Sequence, residues 1–98
     1  MPAYLIVYRE SPVHEPAEAD EYHRQTRQIT GADFKLTPLV VNGAVHPLEG
    51  APPEAVIMLQ FPTVDDAKAW YDSPAYQAAA VHRKAGAVYH GFVVEGFG

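Results

Sequence analysis

Cysteine is absent from these 98 residues. No disulfide framework can form and no thiol chemistry is available, which fits a reducing compartment, so the cytoplasm is the expected location. Long apolar runs are missing too: none approaches the roughly 20 residues of a membrane-spanning helix. The first ten residues, MPAYLIVYRE, carry no basic stretch ahead of their apolar segment and read as a first strand, not as a secretion signal. Positive charge is scarce. Seven Lys and Arg stand against twelve Asp and Glu, for a net charge of −5. Arg9, Arg24, Arg27, Lys35, Lys68, Arg83 and Lys84 are scattered and form no stripe to follow a phosphate backbone, so nucleic acid is not an expected partner. There is no Gly-rich phosphate loop and no G-x-S-x-G elbow. The five histidines, at 14, 23, 46, 82 and 90, include no i, i+4 pair, so neither a metal nor a cofactor is expected.

What remains is a folded chain. Apolar residues make up 48% of it and charged residues 19%, which argues against disorder. The length suits one domain, residues 1–98, able to bury about two-thirds of its unfolded surface. Ala3 to Arg9 (AYLIVYR) is β-branched and aromatic, as in a buried strand. Pro16 opens a helix that runs to about Thr30, with Gly31 as its stop. Lys35 to Glu49 is expected to be one long, bent edge strand with a bulge near Asn42-Gly43. Ala55 to Phe61 (AVIMLQF) is the third strand. Thr63 and Asp66 form a capping-box pattern ahead of a second helix. That helix breaks at Ser73-Pro74, where Ser73 caps the second piece and Pro74 starts it, and it runs on to about Lys84. Ala87 to Glu95 (AVYHGFVVE) is the last strand.

The order is β-α-β-β-α-β, the α+β ferredoxin-like arrangement of an antiparallel sheet with helices on one face. Its strands are apolar at most positions rather than at alternate ones. Two helices cannot cover both faces, and a second copy packed sheet against sheet is the simplest cover.

Several segments resemble a known family. MPAYLIVY at the start, LEG at 48–50, LQFPTVDDAKAWYDSPAYQAA at 59–79 and FVVEG at 92–96 are similar to the bacterial domain of unknown function 1330, within the dimeric α+β barrel superfamily. The stretch FP-x(7)-WYDSPAYQ is the most specific part. The resemblance spans essentially the whole chain. It implies a ferredoxin-like protomer and a homodimer whose sheets form a barrel. It supplies no established activity, because that superfamily includes cyclases, cofactor-free monooxygenases and ligand-binding regulators.

Candidate site residues are aromatic, His and Arg. Trp70 and Tyr71 read as core packing or as a wall that contacts substrate, with Phe61 beside them. Tyr76 could pack or could turn its hydroxyl to a substrate oxygen. Tyr22 is expected to face the sheet, leaving His23 at the surface. His82 and Arg83 follow three alanines that leave room. His82 is a candidate base, and Arg83 could pair with a carboxylate or enolate or simply end a solvated helix. His90 shares a strand face with Val88, Phe92 and Val94 and is either a core residue or a proton shuttle. These residues point to a small cofactor-independent enzyme of the lyase, isomerase or cyclase type. It would act on a small organic acid, aromatic or polyketide-like compound in a cleft between sheet and helices. The catalytic set would be His90, His82, Tyr76 and Tyr22. The alternative is a non-catalytic dimeric module that binds a small hydrophobic metabolite.

Overall fold

A computed structural model describes residues 1–27 and 35–97. The expected stop of the first helix, at residues 30–31, lies outside the described residues. The elements are β1 (Ala3–Arg9), α1 (Pro16–Arg27), β2 (Thr37–Val41), β3 (Ala55–Phe61), α2 (Val64–Asp72), α3 (Pro74–Gly86) and β4 (Tyr89–Glu95). The four strands form one antiparallel sheet in the order β2-β3-β1-β4. With α2 and α3 taken as one interrupted helix, this is the ferredoxin-like β-α-β-β-α-β fold.

Residues directly opposite one another in the ladder share a face. Leu5 lies opposite Leu59 and Val93, and Val7 opposite Ile57 and Gly91. This inner face carries the core. Leu5, Val7, Leu59 and Phe61 pack against Tyr22, Ala67, Trp70, Tyr76, Ala79 and Ala80 from the helices. The outer face carries Tyr4, Ile6 and Tyr8 of β1, Val56, Met58 and Gln60 of β3, and His90, Phe92 and Val94 of β4. No helix covers it among the described residues, and Phe92 and Val94 are exposed.

The second strand is shorter than its sequence suggests. It ends at Val41, and its irregularity falls between Pro38 and Val40 rather than at Asn42-Gly43. Asn42 takes a left-handed conformation, φ 56°, which turns the chain out of the sheet instead of bulging within it. Among the described residues β2 pairs only with β3, which makes it an edge strand, the place where Pro38 is tolerated. The last strand begins at Tyr89, two residues later than expected.

The joint between α2 and α3 follows the expected chemistry. The Thr63 hydroxyl accepts the Asp66 N–H at 3.1 Å and donates to the Asp66 carboxylate at 3.0 Å, so α2 starts with an Asp version of the capping box. Ser73 then serves both helices. Its hydroxyl donates to the Trp70 carbonyl at 2.7 Å and accepts the Tyr76 N–H at 3.3 Å, with Pro74 as the first residue of α3. The break lets Trp70 and Tyr76 both turn into the core, ring centroids 4.2 Å apart.

Candidate functional site

A pocket of about 210 Å³ opens between α1, the β2–β3 side of the inner sheet face and the tip of α2. Val41, Ile57, Leu59 and Trp70 wall it, and Tyr22 and His23 are its chemically versatile members. Its position follows from the fold. The core cluster fills the inner face under α2 and α3, whereas the edge strand β2 offers only a short, partly exposed surface to α1.

Tyr22 is the link between pocket and core. Its hydroxyl lies 3.1 Å from that of Tyr76, and both side chains are buried. A single proton lies between the two oxygens, so one phenol donates to the other and the second keeps a free O–H. Burial, together with the neighbouring Tyr76, pushes the Tyr22 hydroxyl far above the usual tyrosine range. Tyr22 is therefore a neutral phenol, suited to donate to or accept from a ligand oxygen and unsuited to act as a base. Trp70 adds an indole N–H that is buried without a partner among the described residues.

His23 is half-buried and meets the Tyr22 ring edge-on, with centroids 5.6 Å apart and planes at 64°. Its expected surface position is corrected here: it lines the pocket. Adjacent helical residues diverge by about 100°, and the sheet lies beneath only one of them. The pocket lies to the side, toward the edge strand, and there His23 and Thr26, three residues apart, share the helix flank.

The two histidines expected to act as bases lie elsewhere. His82 sits on the flank of α3 that faces α1, where its Nδ1 pairs with the Glu18 carboxylate. The buried face of α3 runs through Tyr76, Ala79, Ala80 and Arg83, which rotates His82 away from the sheet. His90 is on the outer face. Its Nε2–H donates to the Glu10 carboxylate at 2.7 Å, and its ring stacks on Tyr8 with centroids 5.2 Å apart. Alternation groups His90 with Phe92 and Val94 as expected, but that face turns away from the helices because Tyr89 takes the inner position opposite Arg9. A single cleft holding both histidines with Tyr22 and Tyr76 is thus not formed within the chain.

Of the other candidates, only Trp70 reaches the pocket. Phe61 is fully buried beneath Trp70, with centroids 6.0 Å apart, and belongs to the core. Tyr71 packs on Tyr76 at 5.5 Å, and its carbonyl accepts from the Gln77 side chain at 2.6 Å. Arg83 is neither a solvated helix end nor a pocket residue. It is 5% exposed, with its guanidinium over the Tyr89 ring at 5.1 Å and its Nε unpartnered among the described residues. Among the described residues no three His, Asp or Glu side chains converge as a metal site. No helix described is long and apolar enough to cross a membrane.

A second, more open cavity of about 470 Å³ lies on the other side of the sheet. There residues 51–53 arch toward Ile6, Tyr8 and Val56, with Glu10 at the end of the strand.

With this geometry in place, comparison with known proteins fixes the family. The family model described as "Domain of unknown function (DUF1330)" matches residues 2–97, and the chain belongs to that family. No curated protein matches it. Among solved structures, it is similar to a protein of unknown function from Rhodopseudomonas palustris, with a TM-score of 0.70 and 15% identity over 99% of this chain and 83% of that one. It is also similar to a dimeric ferredoxin-like protein of unknown function from Bacteroides fragilis, with a TM-score of 0.64 and 16% identity over 96% and 95% of the two chains. A third is SnoaB, a cofactor-independent oxygenase from Streptomyces nogalater, with a TM-score of 0.54 and 14% identity over 99% and 93%. At these identities the likeness is one of fold.

Proposed function

We propose that this protein acts as a homodimer on a small organic compound held in the pocket beside α1. The chemistry is proton transfer of the lyase, isomerase or cyclase kind, with no cofactor. The observation that carries this reading is the buried Tyr22–Tyr76 hydroxyl pair at the wall of an apolar pocket that His23 also lines. A cavity of this size has room for a one-ring compound. The ligand's carbonyl oxygen would accept from Tyr22, with Tyr76 donating to Tyr22 behind it. Negative charge that develops on that oxygen strengthens both hydrogen bonds, which favours the enolate over the ketone. His23 would take the proton from the adjacent carbon and return it at the end of the reaction, the role imidazole fills best near neutral pH. The fold likeness to a cofactor-independent oxygenase supports chemistry on this scaffold without a bound cofactor. The dimer is supported by the uncovered outer face, with Phe92 and Val94 exposed, and by the dimeric state of the similar Bacteroides fragilis protein.

The test is carbon–hydrogen exchange. Acetylacetone and small hydroxylated aryl ketones are incubated with the protein in heavy water, and loss of the C–H signal is followed by NMR. Exchange above the buffer rate is expected, with Tyr22→Phe slowing it by about 100-fold and His23→Gln by about 100-fold or more. Binding without exchange would leave a non-catalytic module for a hydrophobic metabolite. Full activity in His23→Gln would remove the base and sink the mechanism.

A further inference from the structure

Three buried side-chain nitrogens lack a hydrogen-bond partner among the described residues: Arg9 Nε, Trp70 Nε1 and Arg83 Nε. All three are donors, and two belong to cations. The proposed proton chemistry uses neither arginine. Arg83 is the more deeply placed. It shares the buried face of α3 with Tyr76, Ala79 and Ala80, and its guanidinium lies over the Tyr89 ring at 5.1 Å. Tyr89 stands on the inner side of the sheet opposite Arg9, so the two cations share this end of the inner layer. The carboxylates nearby are taken up elsewhere. On α1, Glu18 pairs with His82 and Glu21 with Arg24. Glu10 pairs with His90 on the other side of the sheet. Asp20 of α1, Glu15 just before that helix and Lys84 of α3 are exposed. Among the described residues no Asp or Glu pairs with Arg83 or Arg9. A second copy on the outer face would have the whole sheet between it and Arg83, so assembly brings no counter-ion. A buried cation without one is costly to keep, and in a low-dielectric interior its field reaches further than in water. That field acts on the Tyr22 hydroxyl, which it pulls down against the stronger upward push of burial. Tyr22 stays neutral, and an oxygen that accepts from it lies in the same positive field.

We infer that Arg83 is a positioning residue that makes the pocket beside α1 select its ligand as an anion, the phenolate or enolate of an acidic phenol or 1,3-dicarbonyl compound. This rests on the reading of that pocket as the ligand site. The ligand oxygen accepts from Tyr22, and Tyr76 stands behind Tyr22 with the hydroxyls 3.1 Å apart. Arg83, on the Tyr76 face of α3, supplies the opposite charge without touching the ligand. A plain ketone ionises only far above neutral pH and gains least from such a site. A compound whose anion is within reach near neutrality gains most. An ammonium ligand would meet the Arg83 charge with like sign.

4-Nitrophenol tests this directly, because its ionised form alone absorbs in the visible. The full chain is titrated with it at the pH where the free phenol is half ionised, and with 4-nitroanisole as a neutral ligand of similar shape. Wild-type protein is expected to raise the phenolate band, with the bound ligand ionised by about ten to one. The anisole is expected to bind more weakly. Arg83→Met replaces the cation with an unbranched apolar chain that a core tolerates. It is expected to return the bound phenol to its neutral form and to leave the anisole affinity within about twofold, a split that a merely structural role would not produce. Arg83→Lys keeps the charge and is expected to retain most of the ionised form. Val41→Trp, at the pocket wall, is expected to abolish binding. Circular dichroism confirms that each variant is folded. No binding by the wild type, a bound phenol that is neutral, or equal ionisation in wild type and Arg83→Met overturns the inference. So does Arg83→Lys behaving as Arg83→Met, or binding that survives Val41→Trp. The exchange assay keeps the two readings apart. Exchange by a wild type that binds the phenol neutral removes the anion selection alone, and phenolate binding without exchange removes the catalysis alone.

Discussion

On the inner face of the sheet, Leu5, Leu59 and Phe61 are buried under α2 and α3. One step away in the ladder, on β1, β3 and β4, Ile6, Met58 and Phe92 lie half-buried or exposed on the outer face. The residue types are alike and their surroundings are not. The polar groups differ as well. The inner layer satisfies Tyr22 and Tyr76 with each other, out of water. The outer face keeps Gln60, Tyr8, Glu10 and His90 where water or another molecule reaches them. A face with apolar residues and accessible polar tips suits cover that comes and goes, by a second copy. The inner face suits a core that is never uncovered.

The sharpest test of that contrast exchanges one phenylalanine on each side. Phe61 has no exposed surface, and Phe61→Ala is expected to cost about 3–5 kcal/mol in urea unfolding, through lost burial and the cavity beneath Trp70. Phe92 is 48% exposed, and Phe92→Ala in the isolated protomer is expected to stay within about 1 kcal/mol. The outer variant is expected to act in assembly: the dimer proposed above should dissociate at higher protein concentration than in the wild type. Equal losses for the two variants in dilute, monomeric protein would erase the distinction between the faces.

The sequence reads well where local chemistry decides. Thr63, Ser73 and Pro74 announce the helix starts because capping needs those side chains at those positions, and Tyr22 points inward because α1 has few apolar residues with which to face a core. It reads poorly where alternation is silent. AVIMLQF is apolar at six of its seven positions, so period two groups its residues without saying which group meets the helices. His90 has the same difficulty: its strand companions were legible, and the side they face was not. His23 was missed for another reason. The pocket lies where β2 stops at Val41 beside α1, and that end depends on one left-handed residue, Asn42, far from His23 in sequence. Arg83 shares the i, i+3, i+4, i+7 spacing of Tyr76, Ala79 and Ala80, but a charged residue in the last turn of a helix does not by itself announce burial.

The buried hydroxyl pair offers a finer test of the inner layer. Tyr22→Phe or Tyr76→Phe each leaves one phenol buried without its partner, at about 1–2 kcal/mol. The double variant removes both polar groups and keeps the rings, so it is expected to cost less than the two singles together, with a coupling of about 1 kcal/mol in a double-mutant cycle. Additive losses would mean that the 3.1 Å contact contributes nothing and that the pair does not organise the pocket wall.

The smallest effect belongs to neither face but to the solvent side of α1. Arg24 donates to the Glu21 carboxylate, with Nε to Oε2 at 2.7 Å, and Gln25 donates to it at 2.9 Å. The Arg24 hydrogen bond, with help from Gln25, holds the Glu21 carboxyl near 2, below its ordinary 4.5. A carboxyl whose folded value is depressed stabilises the fold above its unfolded value and loses that contribution as pH falls through the folded one. The stabilisation is therefore whole above pH 4.5 and fades toward pH 2. Because the pair lies at the surface, salt weakens it, and the total is expected to fall below either of the buried-face effects. Thermal midpoints of wild type and Glu21→Gln, followed down through this window at low and high salt, separate the contributions. The low-salt difference should shrink as pH falls and should be smaller throughout at high salt. If Glu21→Gln retains the full wild-type acid slope, the sensitivity lies with other carboxylates.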